Sequence, residues 1–185
     1  SHPLLHQVRR FSSCLYLWDH HFSVVLCSHS QSTGGDQANA IYLELERMGF
    51  KAWYDNRASD LTKEGMLKGI EQAAAFILFL SQGVLQRPYC QMEIRHALVL
   101  KKPMVLLHES DARYGGFDFR AAHAEAPADL QELLDNNESL PFRRRGYERD
   151  GMLKTVVERS GFAQLYAASQ EGAGTTADGL AAVPS

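Results

Sequence analysis

Residues 76–81, Phe-Ile-Leu-Phe-Leu-Ser, form a continuous apolar run that predicts a strand buried on both faces. After one short loop, residues 87–94 read Arg-Pro-Tyr-Cys-Gln-Met-Glu-Ile, which predicts the start of a helix. The helix therefore begins at the carboxyl end of a buried strand. In open α/β sheets, that edge is where ligands bind.

The periodicity of this helix draws attention to Glu93. At roughly 100° per residue, the stripe that faces the core and the face that points to water can be assigned. The predicted core residues are Cys90, Ile94, Ala97 and Leu98, and the predicted solvent-facing residues are Gln91, Arg95 and Lys102. Glu93 falls with Tyr89 at the border of the stripe, one helical turn apart. A partly desolvated carboxylate there is either functional or paired with a nearby Arg or Lys.

Four further strands and four further helices complete the pattern. The other predicted strands are 22–27, 50–54, 103–107 and 139–142, and the other predicted helices are 36–48, 62–73, 127–136 and 149–159. Residues 111–119 contain glycine and predict a loop. Strands that alternate with helices of this length predict parallel βαβ units with right-handed crossovers. We therefore expect an α/β fold, a flavodoxin-like five-stranded parallel sheet flanked by helices.

The domain boundaries follow from composition. Residues 1–21 mix basic, aromatic and apolar residues without a clear period, which indicates an N-terminal linker or short helix. Residues 22–163 form the predicted domain. Residues 164–185 are rich in Ala, Gly, Thr and Ser, which predicts a disordered tail.

Charge and composition exclude some classes of function. A net charge of -3 gives no electrostatic case for nucleic-acid binding. The three cysteines are odd in number and lack metal-like spacing, so we expect no metal site and a reduced, cytoplasmic protein. No apolar stretch reaches membrane-spanning length.

With these elements placed, the chain resembles a TIR (Toll/interleukin-1 receptor homology) domain from about Phe22 to Gly161. The resemblance rests on an ordered set of segments rather than on one motif. They are Val25-Leu26-Cys27-Ser28-His29, Trp53-Tyr54-Asp55, Phe79-Leu80-Ser81 and Tyr89-Cys90-Gln91-Met92-Glu93-Ile94. The last segment is similar to the Trp-x-x-x-Glu of the NAD+-cleaving TIR enzymes of plant immune receptors and of animal axon degeneration. Here tyrosine stands in the place of tryptophan.

The resemblance implies cleavage of the nicotinamide-ribose bond of NAD+, which is a substrate, and no cofactor. Glu93 would be the catalytic carboxylate, with Tyr89 packed beside the ribose or nicotinamide. The residues that would line the pocket or contact substrate from the loops are Ser28, His29, Asp55, Arg57 and Leu61. The loop from Asp55 to Glu64 would both cover the site and mediate self-association with other TIR domains.

A second class of function stays open beside the enzyme. The chain could be an adaptor that acts only through TIR–TIR contacts at the 55–64 loop. Asp55 could hydrogen-bond loop amides and His29 could be an ordinary loop residue. The basic cluster at 143–145 predicts a solvated edge, with a phosphate or partner site as the minority interpretation.

Overall fold

Five parallel strands form the centre of the molecule in the computed structural model, which describes residues 23–28, 35–54 and 62–162. The strands are β1 (Ser23–Ser28), β2 (Lys51–Tyr54), β3 (Ala75–Leu80), β4 (Met104–His108) and β5 (Ser139–Pro141). Their order in the sheet is β2-β1-β3-β4-β5, and every neighbouring pair is parallel. The predicted α/β fold class is confirmed.

Six α-helices cover the sheet within the described residues. They are α1 (Gly35–Arg47), α2 (Lys63–Gln72), α3 (Pro88–Val99), α4 (Phe119–Glu125), α5 (Ala128–Asn136) and α6 (Gly146–Arg159). Two short 3-10 segments, Val84–Gln86 and Ala112–Tyr114, follow β3 and β4. Helices α1 and α6 pack on one face of the sheet, and α2 to α5 pack on the other.

The position of β3 in the middle of the sheet explains why its sequence is apolar throughout. Ile77 and Phe79 pack in the core beneath α1 and α6, whereas Phe76, Leu78 and Leu80 pack beneath α2 to α5. All six residues of β3 are fully buried. A strand covered by helices on both faces has no polar side, which is the usual pattern of parallel sheets.

The helices differ from the sequence-based expectation at two places. Helix α4 begins where a loop was predicted to end, because the Asp118 side chain accepts a hydrogen bond from the Ala121 amide and caps the helix. Pro127 then separates α4 from α5. Helix α6 begins at Gly146, three residues before the predicted start at Arg149. The helices therefore number six in the described part of the chain, not five.

The predicted linker 1–21 and the predicted tail 164–185 lie wholly outside the described residues, and the domain boundaries stay predictions. Within the ranges that the structure does describe, no helix is both long enough and apolar enough to cross a membrane.

Candidate active site

The strand order creates a crevice between β1 and β3. The chain leaves β1 toward β2 on one side, and it leaves β3 toward β4 on the other side. At such a switch point the two outgoing connections separate, and ligands of open α/β sheets bind outside the carboxyl ends of the strands there. Helix α3, which follows β3, is therefore positioned beside the crevice.

A short, partly buried segment connects β3 to α3. Gly83 has a φ of +78°, a left-handed conformation that glycine adopts without strain, and the 3-10 turn Val84–Gln86 follows it. Val84 and Leu85 are buried against the core beneath α2 to α5. Pro88 then occupies the first turn of α3, where its missing N–H leaves no hydrogen bond unmade.

Glu93 lies within the buried stripe of α3. The buried residues of this helix are Cys90, Glu93, Ile94 and Ala97, which is the i, i+3, i+4, i+7 spacing of one helix face. Glu93 is only 4% exposed, so it lies deeper than the border position that the sequence predicts. It takes part in a polar or electrostatic interaction. A carboxylate that replaces an apolar residue in such a stripe is costly to bury and suggests a specific role.

Other residues of α3 differ from the predicted assignment. Leu98 was expected in the core, but it is 38% exposed and lies with Val99 and Leu100 on the surface. Lys102 was expected to point to water. Instead its Nζ donates hydrogen bonds to the main-chain oxygens of Glu71 (2.8 Å) and Ala73 (2.6 Å) at the end of α2. The lysine thus satisfies carbonyl groups that the end of a helix leaves unpaired.

Tyr89 projects away from the core. Its side chain is 64% exposed, although it precedes Glu93 by one helical turn. The ring and the Glu93 carboxylate therefore differ in environment, contrary to the expectation of a shared border position. A role of Tyr89 in substrate binding stays a prediction.

The remaining predicted site residues are Ser28 and four residues that the structure does not describe. Ser28 is the last residue of β1, paired in register with Phe79 of β3, so its backbone lies at the carboxyl edge. His29, Asp55, Arg57 and Leu61 lie outside the described residues. Their assignment to the site stays a prediction.

A hydrogen-bonded chain fixes the first two turns of α3. The side-chain Nε2 of Gln91 donates to the main-chain oxygen of Leu85 at 2.8 Å, and its Oε1 accepts from Nη1 of Arg95 at 3.1 Å. Arg95 in turn forms a bidentate ion pair with Asp129 of α5, at 2.6 and 3.1 Å. Gln91 and Arg95 were predicted to point to water, but both are only partly exposed and connect α3 to its neighbours.

A second buried carboxylate, Glu109, was missed by the sequence analysis. It follows β4 at the carboxyl edge and is 1% exposed. Its Oε1 accepts from the Asp111 amide (2.9 Å) and from Nη1 of Arg144 (2.9 Å), and its Oε2 accepts from Gln37 of α1 (3.0 Å) and from Nη2 of Arg144. Burial raises the pKa of Glu109, but the hydrogen bonds from Arg144, Asp111 and Gln37 outweigh burial and hold that pKa below its usual value.

The contacts of Arg144 correct the interpretation of the 143–145 cluster as a solvated edge. Its guanidinium lies over the ring of Tyr114, 3.9 Å from the centroid, and within 5.0 Å of the Phe142 ring centroid. Arg143 and Arg145 are exposed, whereas Arg144 is only partly exposed. No local sequence signal pairs Arg144 with Glu109, because the two residues are 35 positions apart.

Comparison with known proteins gives a family and a fold. The TIR domain family model matches residues 25–134, which is more than half of the chain. No curated protein matches the sequence. The TIR domains of the Roq1 resistosome, which recognises the pathogen effector XopQ, are 10% identical, with 74% of this chain and 98% of that chain covered and a TM-score of 0.54. The TIR domain of the Toll-related receptor TRR-2 from Hydra magnipapillata is 14% identical, with 80% and 98% covered and a TM-score of 0.46.

The similarity to the Roq1 TIR domains, at such low identity, concerns the fold alone, while the family assignment rests on the sequence match. That match includes β1 from Val25 onward, the buried strand β3 and the whole of α3 with Glu93. The chain belongs to the TIR domain family.

Proposed function

We propose that this TIR domain is an NAD+ glycohydrolase or ADP-ribosyl cyclase that cleaves the nicotinamide-ribose bond. The single observation that supports the proposal is the burial of Glu93, 4% exposed, in the apolar stripe of a helix beside the switch point of the sheet. A domain that only binds other proteins has no need of a desolvated carboxylate at that position.

The chemistry requires little more than one well-placed carboxylate. The bond between ribose C1′ and the pyridinium nitrogen breaks, and its electron pair leaves on the nitrogen as neutral nicotinamide. No general acid has to protonate this leaving group, unlike the leaving group of an ordinary glycoside. The ribose that remains is oxocarbenium-like and positively charged. Glu93 would stabilise that charge and accept hydrogen bonds from the ribose hydroxyls, in a site where low polarity strengthens the interaction.

The second half of the reaction adds a nucleophile to C1′. Water gives linear ADP-ribose after it loses a proton, and a nitrogen of the substrate's own adenine gives a cyclic isomer. Tyr89, Ser28, His29, Asp55, Arg57 and Leu61 would contact the dinucleotide around Glu93, and the 55–64 loop would bring neighbouring TIR domains together in the cytoplasm.

The decisive experiment measures nicotinamide release from NAD+ by the purified chain and by Glu93→Gln. The glutamine keeps the size of the side chain but removes the negative charge. We expect turnover to fall by about 100-fold or more, the range seen when one electrostatic group of an active site is lost. Circular dichroism should be unchanged. Equal turnover in the two proteins would rule out Glu93 as the catalytic group.

One observation favours a second function, that of a non-enzymatic adaptor. The end of α3 exposes three consecutive apolar residues, Leu98, Val99 and Leu100, at 38%, 77% and 40%. Exposed apolar side chains that join into one patch often mark a protein–protein contact. A wild-type chain that binds other TIR domains but releases no nicotinamide at any concentration would identify the adaptor.

A further inference from the structure

We infer that Gln91 is a positioning residue for Glu93, acting through its hydrogen bond to the main-chain oxygen of Leu85. The inference rests on the proposed function, because it concerns how the catalytic carboxylate is held. Its basis is the hydrogen-bonded chain Leu85–Gln91–Arg95–Asp129, whose members lie on both sides of Glu93 in sequence.

The orientation of the Gln91 amide is fixed at both ends. Its Oε1 accepts from Arg95 Nη1 at 3.1 Å, so its Nε2 faces the oxygen of Leu85, at 2.8 Å. Arg95 cannot readily turn away, because Asp129 holds it by two contacts of 2.6 and 3.1 Å. A guanidinium paired in this bidentate way has few alternative orientations.

The acceptor is as well fixed as the donor. Leu85 is 1% exposed and belongs to the 3-10 turn that leaves the carboxyl end of β3. The bond from Gln91 therefore joins the first turn of α3 to a buried point at the edge of the sheet. Gln91 and Glu93 are two residues apart in one rigid stretch of helix, so a change in the tilt of that stretch moves both.

Loss of the Gln91 contact should change the position of Glu93 rather than the binding of the substrate. Glu93 must lie close to C1′ when the ribose becomes positively charged, and a displacement of about 1 Å can cost about 100-fold in rate. Loss of the Gln91 contact should thus lower kcat more than it changes KM, because substrate contacts from the loops remain.

The chain provides a matched control in Gln131. Its Nε2 also donates to main-chain oxygens that precede its helix, those of His123 (3.1 Å) and Ala126 (3.2 Å). Like Gln91, it is partly exposed. It lies in α5, two residues after Asp129, and its bonds run to the end of α4 rather than to α3 or to the turn at Leu85. A change of Gln131 therefore removes the same kind of side-chain to main-chain bond while every hydrogen bond of the Leu85–Gln91–Arg95–Asp129 chain keeps both of its partners.

The experiment compares steady-state NAD+ cleavage by wild type, Gln91→Leu, Gln91→Glu and Gln131→Leu. Gln91→Glu still accepts from Arg95 but cannot donate to the Leu85 oxygen. We expect both Gln91 variants to lose about tenfold in kcat with KM within about twofold, and Gln131→Leu to keep both constants. The melting temperatures of Gln91→Leu and Gln131→Leu should fall by similar amounts, which removes stability as the explanation.

Three results would overturn the inference while the proposed function stands. The first is a kcat of Gln91→Leu or of Gln91→Glu within about twofold of wild type. The second is an equal loss of kcat in Gln131→Leu, and the third is a Gln91 variant in which KM changes and kcat does not.

If Gln91→Leu does not fold, Gln91→Glu carries the comparison, since it keeps the size of the side chain and one hydrogen bond. A wild-type chain without turnover, or an active Glu93→Gln, overturns the proposed function and this inference together.

Discussion

Glu109 and Arg144 form a bidentate ion pair in which a carboxylate that is 1% exposed meets a guanidinium whose side chain is 31% exposed. The pair joins three segments at the carboxyl edge, because Gln37 of α1 donates to the same carboxylate. Arg144 also contacts the rings of Tyr114 and Phe142. This cluster connects α1 to the segments that follow β4 and β5.

Removal of Arg144 should be strongly destabilising. Arg144→Ala would leave Glu109 buried without its cation, and breaking a buried pair in this way costs about 3 kcal/mol of the free energy of unfolding. Urea denaturation monitored by circular dichroism measures the change. The matched control is Arg113→Ala, because Arg113 forms a similar ion pair with Asp111 while its own side chain is 82% exposed. That variant should differ little from wild type, and equal losses in both would contradict the assignment.

Acid should lower the stability of the fold, because it protonates a buried carboxylate at this edge of the sheet. The hydrogen bonds from Arg144, the Asp111 amide and Gln37 hold the pKa of Glu109 below its usual value of 4.5. A group with a lowered folded-state pKa contributes stability above its unfolded pKa and loses that stability as the pH falls through the folded pKa. We expect the urea midpoint to fall progressively below about pH 5.

The Arg144→Ala variant should lose part of the acid sensitivity that Glu109 gives to wild type. Without the guanidinium, burial still raises the pKa of Glu109, and only the hydrogen bonds from the Asp111 amide and Gln37 oppose it. The folded-state pKa should therefore rise, so acidification should cost the variant less stability than it costs wild type. Urea midpoints at pH 7 and pH 4 make the comparison, because the loss in wild type begins below about pH 5. A variant that loses stability on acidification as steeply as wild type would show that Arg144 does not govern the ionisation of Glu109.

The sequence predicts the sheet well because burial on both faces leaves a strong signal. Phe76 to Leu80 are apolar at every position, and their strand is central in the structure. The sequence singles out Glu93 as a candidate because it stands at the border of a periodic apolar stripe and within a segment that resembles TIR enzymes. Glu109 is not singled out, because Gln37 and Arg144, its side-chain partners, are 72 and 35 residues away. Helix α4 has only seven residues, too few for a clear period, although Asp118 and Pro127 mark its two ends.

Tyr89 offers a test that separates substrate contact from packing. Its side chain is 64% exposed, so neither Tyr89→Ala nor Tyr89→Trp should change the free energy of unfolding by more than about 0.5 kcal/mol. If the ring packs against the ribose or nicotinamide, Tyr89→Ala should lose turnover while Tyr89→Trp keeps it. Nicotinamide release by both variants at saturating and low NAD+ measures this. Equal activity in both would show that the ring does not contact the substrate.

Self-association should control the activity of the domain. A site that neighbouring TIR domains complete between them obeys mass action, so specific activity should rise with protein concentration and on surface tethering. Nicotinamide release from nanomolar to tens of micromolar protein, with light scattering on the same samples, tests this. Leu61→Ala, a change in the 55–64 loop, should lower activity and association together. Glu93→Gln should lower activity alone.

A mixing experiment distinguishes a shared site from a self-contained one. Glu93→Gln keeps an intact 55–64 loop, and Leu61→Ala keeps an intact carboxylate, so each is defective in a different part. If one protomer supplies Glu93 and its neighbour supplies the loop, a mixture of the two variants contains pairs with one complete site. The mixture should then exceed the summed activities of the separate variants, and the gain should disappear on dilution. Activity that stays strictly additive, with a specific activity of wild type that is flat over the whole concentration range, would identify a monomeric hydrolase.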